Sequence, residues 1–142
     1  MPAPQGPPFG MHLTRVAKVV SGQFDAALTA AGGSLPVWLI LMSLETTRFG
    51  NQRGLAAAIG IHGATLTHHL NAMERDGLLT RRRADDNRRV HVVELTETGH
   101  ALFLQLRDAA VDFDRRLRLG FTPAELAAVS AALDRLASNV TD

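Results

Sequence analysis

The 142-residue chain contains no cysteine, one tryptophan and one lysine, and only 5% of it is aromatic. Without thiols there is no disulfide framework, thiolate metal site, cysteine nucleophile or thiol redox sensor, which suits a reducing compartment. No run approaches the roughly 20 apolar residues needed to span a bilayer, and residues 1–8 lack the basic and apolar parts of an export leader. A cytoplasmic protein with no membrane partner is expected. The motifs of common catalysts are also missing: no Gly-x-Ser-x-Gly elbow, no phosphate-binding Gly-rich loop and no His-Glu-x-x-His helix. Six histidines show no ligand spacing, since His68 and His69 project about 100° apart on a helix, and His62, His91 and His100 are scattered. Neither an enzyme nor a cofactor or metal is expected.

What is present is one domain's worth of material, 15.3 kDa and 46% apolar, long enough to bury a core unaided. Four of the six prolines fall in residues 1–8, so residues 1–9 read as a disordered arm. Net charge is only +1, but residues 75–91 hold six arginines against three aspartates, a local excess of +3.

Apolar residues at Leu13, Val16, Val20, Phe24 and Leu28 step by three and four, predicting an amphipathic helix over 10–31. Ser34 is a cap for the next helix, with Pro36 tolerated in its first turn. That helix is apolar all round over 37–44, which places it at the centre of the fold. The run 48–50 closes it. Asn51 then caps a short helix to Ile59, and a second helix over 62–75 follows through Gly60. In the second helix Leu66, Leu70 and Met73 share one face, while Ala64, His68, Asn71 and Arg75 lie opposite, flanked by Thr65 and Thr67. Two short helices joined through one glycine, the second with a small polar outer face, form a helix-turn-helix pattern.

Residues 78–83 and 88–95 suit strands around the turn formers at 84–87, giving a hairpin with a basic tip whose inward face the alternation leaves open. Thr96 caps a long helix with a stripe at Leu102, Leu106, Ala110, Phe113 and Leu117. Thr122-Pro123-Ala124-Glu125 supplies a capping box for the last helix, with stripe Leu126, Val129, Leu133 and Leu136. The first and last helices offer more apolar surface than one small lobe covers, which a twofold partner would bury; the alternative is that they fold back on their own lobe.

Two segments carry a family resemblance: the run Gly60-Ile61-His62-Gly63-Ala64-Thr65-Leu66-Thr67-His68-His69-Leu70-Asn71-Ala72-Met73-Glu74-Arg75-Asp76-Gly77-Leu78, and Asp86-Asn87-Arg88-Arg89 running on to Leu95-Thr96-Glu97-Thr98-Gly99. Over roughly residues 10–138 the chain resembles the MarR family of winged helix-turn-helix transcription regulators. The resemblance implies a mainly α fold of six helices with a small β-hairpin wing. It also implies an intertwined homodimer, with 10–33 and 97–142 as the dimerisation region and 34–96 as the DNA-binding lobe. Such a dimer binds a pseudo-palindromic operator in double-stranded DNA, as a repressor released by a small, anionic aromatic or phenolic acid effector.

Under this resemblance the DNA-binding residues are His62, Gly63, Ala64, Thr65, Thr67, His68 and Asn71 on the recognition helix and Arg82, Arg88 and Arg89 on the wing. Gly63 and Ala64 permit close approach to the major groove, and Thr65 and Thr67 offer hydroxyls and methyls. His68 departs from the arginine that many members carry there; its shorter ring cannot make the bidentate guanine contact of a guanidinium. Arg88 matches the tip arginine that enters a narrow minor groove, where negative potential is concentrated, and Asp86 matches the acid bracing it. Arg81, Arg82, Arg83 and Arg89 are read as phosphate neighbours. For the effector, His12 and Arg15 on the first helix, Trp38 and Met42 on the second, and His69 would pair cations with an aromatic wall; Trp38 and Met42 at helical spacing equally read as core. The alternative is a winged protein-interaction module without DNA binding, its arginines facing an acidic partner. Replacing Arg88 by Ala is expected to weaken specific DNA binding at least about tenfold, or about 1.4 kcal/mol, with folding intact. Titration against duplex DNA checks this, and unchanged affinity would discard the wing assignment.

Overall fold

A computed structural model of the chain describes residues 1–46, 50–83 and 91–141. They fall into two compact units, 1–110 and 111–142. In the first unit, helix α1 (Phe9–Ala30) buries only Leu28, while Phe9, Met11, Val16 and Val19 stay exposed. Helix α2 (Leu35–Thr46) begins with two borrowed acceptors. The Val37 N–H donates to Ser34 Oγ at 3.3 Å, and the Leu35 N–H to Asp25 Oδ1 of α1 at 3.1 Å. These satisfy first-turn donors that have no partner inside the helix. As its all-apolar sequence predicts, α2 is central: Trp38, Ile40, Leu41 and Leu44 are buried, and α1, α3 (Gln52–Ile59) and α4 (Gly63–Arg75) all pack on it. Leu55, Leu66, Leu70 and Met73 complete this core from the helix-turn-helix side.

The wing is a three-stranded antiparallel sheet rather than a bare hairpin. β2 (Leu79–Arg83) pairs with β3 (His91–Leu95), with Leu79 opposite Leu95 and Arg81 opposite Val93. β1 (Gly50–Asn51) joins the other edge of β3, Gly50 opposite Val93 and Asn51 opposite Val92. A two-residue strand is too short to leave an alternation, so the sequence gives Asn51 only a capping role. Pairing also fixes the face left open above: Leu79 and Val93 are buried, and Arg81 and Leu95 lie on their side of the sheet. The turn 84–90 and the run 47–49 lie outside the described residues.

Recognition helix, sheet and following helix meet at one junction. α4 ends in a Schellman arrangement: Gly77, at φ +76°, donates to the Glu74 carbonyl at 3.0 Å, and the Leu78 N–H donates to the Met73 carbonyl at 2.9 Å. Thr96 sits beside it at the start of α5 (Glu97–Leu117), as expected of a cap. Its Oγ1 accepts from the Gly99 N–H at 3.0 Å and donates to the Gly77 carbonyl at 2.6 Å, while its own N–H donates to the Leu78 carbonyl at 3.1 Å. A Cβ on Gly99 would lie 2.0 Å from that Leu78 oxygen.

Along α5 the buried side chains are Phe103 and Leu106, with Leu102 half-buried. Phe103 is absent from the predicted stripe because the stripe follows only one three-four row. The Trp38 ring draws it inward, stacking on it with centroids 5.6 Å apart and planes 6° from parallel. In the second unit, α6 (Pro123–Ser138) opens with the expected capping box. The Thr122 N–H donates to Glu125 Oε1 at 3.0 Å, and the Glu125 N–H to Thr122 Oγ1 at 3.1 Å. No α6 residue is buried, and Val129 and Leu133 are exposed. Among the described residues, no single helix is long and apolar enough to cross a membrane.

Replacing Gly99 by Ala is expected to destabilise the fold by roughly 1–3 kcal/mol, because a methyl group must displace a backbone carbonyl that already holds Thr96. Urea unfolding against the parent protein checks this; an unchanged midpoint would show that the junction yields freely.

Candidate nucleic-acid interface

The face of α4 turned away from the core is small and polar. His62 is its N-cap, in extended conformation and with no capping bond from its side chain, and His62, Gly63, Ala64, Thr65 and His68 are all exposed. A Cβ on Gly63 would meet nothing within 4 Å, and the residue does not have positive φ. Neither packing nor backbone geometry therefore demands glycine there, although alanine is the better helix former. His69, half-buried, presents its ring edge-on to that of His68 at 5.8 Å.

Other polar groups of α4 are already engaged. Thr67 is half-buried; its hydroxyl donates to the Gly63 carbonyl at 2.9 Å and accepts from Gln52 Nε2 at 2.8 Å, tying α3 to the first turn of α4. Asn71 Oδ1 accepts from Arg81 Nη2. Glu74 receives two bonds from the same arginine, from its backbone N–H at 3.0 Å and from Nη2 at 3.2 Å. The Arg81 side-chain hydrogen bond holds the Glu74 carboxyl below the usual carboxylate range; desolvation opposes it, and the charge and backbone N–H of Arg81 add to the lowering.

Arg81 thus departs from its expected place among the phosphate neighbours. Only 18% of its side chain is exposed, and its guanidinium is spent on α4. The reason is strand parity: position 81 points to the side of buried Leu79, whereas Arg82 points to the other. That parity was the available signal for Arg81 and Glu74; nothing in the sequence singles out Gln52. Arg82 and Arg83 are exposed. Arg88, Arg89 and the bracing Asp86 lie outside the described residues.

The five effector candidates are placed differently from one another. Trp38 is a core residue stacked on Phe103, whose other neighbours include the Arg107 guanidinium 5.9 Å from its ring centroid. Met42 is 39% exposed, and His12 and Arg15 lie on the exposed part of α1. A groove of about 420 Å³ along α1 takes in Arg15, Lys18, Thr14 and Met11, but not His12. A second groove, of about 700 Å³, runs past Glu45, Glu94, Glu97 and His100, an acidic wall in which His100 Nδ1 meets Glu45 Oε2 at 2.9 Å.

A bipartite α3–α4 unit with an exposed small-polar second helix, followed by an arginine-bearing sheet, defines a winged helix-turn-helix. Comparison with known proteins narrows it further. The model of the MarR family matches residues 34–91. A mutant of MarR from E. coli complexed with operator DNA is similar at 19% identity and TM-score 0.80, over 91% of this chain and 93% of that one. The repressor CouR bound to a 23-mer DNA duplex is similar at 24% identity and TM-score 0.81, over 92% of each chain. BpsR of Bordetella bronchiseptica, whose DNA binding is regulated by 6-hydroxynicotinic acid, is similar at 20% identity and TM-score 0.82 over the whole of both chains. Residues 34–91 match the MarR family model, and the chain has the fold of the MarR-family transcriptional regulators to which it is similar. These are DNA-binding proteins rather than enzymes.

Because Glu74 has a depressed pKa in the folded protein, its contribution to stability is present above the unfolded carboxylate pKa and is lost as pH falls through the folded value. The stability gap between the parent and Glu74→Gln is therefore expected to be open at pH 7 and to close under acid conditions. Urea unfolding of both proteins across that range measures it; a gap independent of pH would show that the Arg81 pairing contributes nothing.

Proposed function

We propose that the chain is a sequence-specific transcriptional regulator, a repressor, that binds a pseudo-palindromic operator as a homodimer. The exposed edge of α4 at His62, Gly63, Ala64, Thr65 and His68 enters the major groove. The observation that carries this reading is the exposed, small and hydrogen-bonding edge of α4 formed by His62, Gly63, Ala64, Thr65 and His68, beside a strand that exposes Arg82 and Arg83. A groove that must be approached closely explains it. Arg82 and Arg83, exposed on the neighbouring strand, then lie toward phosphates, and Arg88 and Arg89 are assigned to the same interface from the sequence alone.

Exposed apolar side chains support the homodimer. Within the first unit these are Phe9, Met11, Val16 and Val19; within the second, Phe121, Val129 and Leu133. Such faces are buried by a twofold copy in which 10–33 and 97–142 form the dimerisation region and 34–96 the reading lobe. Release by an anionic aromatic effector is supported by the α1 groove, where Arg15 and Lys18 stand three residues apart, and by BpsR's response to 6-hydroxynicotinic acid. The acidic groove near Glu45 would repel such a ligand. The effector must favour a dimer whose helices no longer match the operator, since equal affinity for both states shifts nothing.

Fluorescence anisotropy with a duplex selected from a random pool, against a scrambled duplex, tests the reading across a salt series. Preference of at least ~10³, two chains per duplex, and affinity falling steeply with salt are expected. Equal weak binding to both duplexes would overturn it in favour of a protein-binding role. A phenolic acid that neither displaces the duplex nor changes Trp38 fluorescence would remove the effector.

A further inference from the structure

Arg81 sits in the most arginine-rich part of the chain, yet it differs from its neighbours in exposure and in bonding. Arg82 and Arg83 are exposed, whereas the Arg81 side chain is mostly covered. Its guanidinium bridges Asn71 and Glu74, one turn apart on α4, and the same carboxylate takes the Arg81 backbone N–H at 3.0 Å. One residue of β2 is thus fixed to the recognition helix through main chain and side chain together. Both side-chain bonds leave one nitrogen, Nη2, so the second anchor is the backbone N–H on Glu74 Oε2, and main chain and side chain together restrain the strand against the helix.

We infer that Arg81, with Asn71 and Glu74, is a positioning clamp that sets the angle between the recognition helix and the wing, so that both reach their grooves at once. The inference rests on the DNA-binding reading above. A helix and a hairpin held at a fixed angle bind two grooves as one rigid body; if the angle is loose, part of the binding energy goes into ordering it. The clamp thus raises affinity without touching DNA.

That distinction gives opposite signs in one experiment. A phosphate ligand that is removed lowers the slope of log affinity against log salt by about one. A positioning residue lowers affinity and leaves the slope in place. Removing a negative charge beside DNA should on Coulomb grounds strengthen binding; removing Glu74 from a clamp should weaken it.

The test uses the full chain and its selected duplex, with Arg81→Gln, Glu74→Gln and Arg82→Gln compared across a salt series. Circular dichroism and amide hydrogen exchange of α4 and β2 accompany each. Expected is an affinity loss of roughly 2- to 30-fold for Arg81→Gln and Glu74→Gln at unchanged salt slope. Faster exchange in β2 is expected in the Arg81 and Glu74 variants, and a reduced slope only in Arg82→Gln. A reduced slope for Arg81→Gln or tighter binding by Glu74→Gln would overturn the clamp. If the parent chain selects no duplex, the DNA-binding reading falls and the role in groove engagement with it. The exchange data then decide the mechanical part alone: unchanged β2 protection in Arg81→Gln overturns it, and lost protection supports it.

Discussion

The threonine at the start of α5 holds together three elements that would otherwise only be near one another. A helix C-terminus leaves carbonyls without partners, and a helix N-terminus leaves amides without partners. Here the two ends meet, and the hydroxyl of Thr96 serves both, accepting from the Gly99 N–H while donating to the Gly77 carbonyl. The Thr96 N–H meanwhile holds the Leu78 carbonyl, one residue before the pair Leu79 and Leu95 at which β2 and β3 come together. The exit of the recognition helix, the base of the wing and the start of α5 are thus one hydrogen-bonded unit. Two glycines make this possible for different reasons, Gly77 by its positive φ and Gly99 by leaving no atom where the Leu78 oxygen must be.

From that base the lobe is stiffened outward. α2 supplies an apolar centre, and Leu66, Leu70 and Met73 seat the recognition helix on it. Gln52 reaches from α3 to Thr67 near the helix start, and Arg81 reaches from β2 to Asn71 and Glu74 near its end. Among the described residues, no buried side-chain polar atom lacks a hydrogen-bond partner. A lobe so satisfied has few soft internal degrees of freedom, which favours a reading surface that keeps its shape in free and bound states.

Much of this was legible in the sequence because it rests on local rules. Periodicity placed the helices to within a residue or two, the continuous apolar run put α2 at the centre, and Thr122 with Glu125 announced their capping box. What was not legible depends on partners distant in sequence. β1 is two residues long, and only its pairing with Val92 and Val93 defines it. Phe103 lies off the three-four row and is buried because Trp38 stacks on it. Arg81 looks like one of three equivalent arginines until the register of β2 with β3 turns it toward the helices. Of the interface, the recognition-helix residues were readable as an outer face, but not which of them the protein keeps for itself.

That division follows the geometry of the helix. Thr67, Asn71 and Glu74 lie on one i, i+4, i+7 row, and each of them bonds to another element, α3 in the first case and β2 in the other two. Ala64, His68 and Arg75 lie on the adjacent row, with Thr65 beside them, and all four are exposed. Asn71 is thus on the boundary between a row that holds the helix and a row that faces outward, and its bond to Arg81 assigns it to the first. A helix that spends one polar row on its own placement can present the other in a fixed orientation, and discrimination between bases depends on that fixity more than on charge. The chain's net charge of +1 creates little long-range attraction for a polyanion. Under the proposed DNA-binding role, the selectivity of this surface comes from where Gly63, Ala64, Thr65 and His68 are held, and the side chains that hold them contribute to recognition alongside those that face the groove.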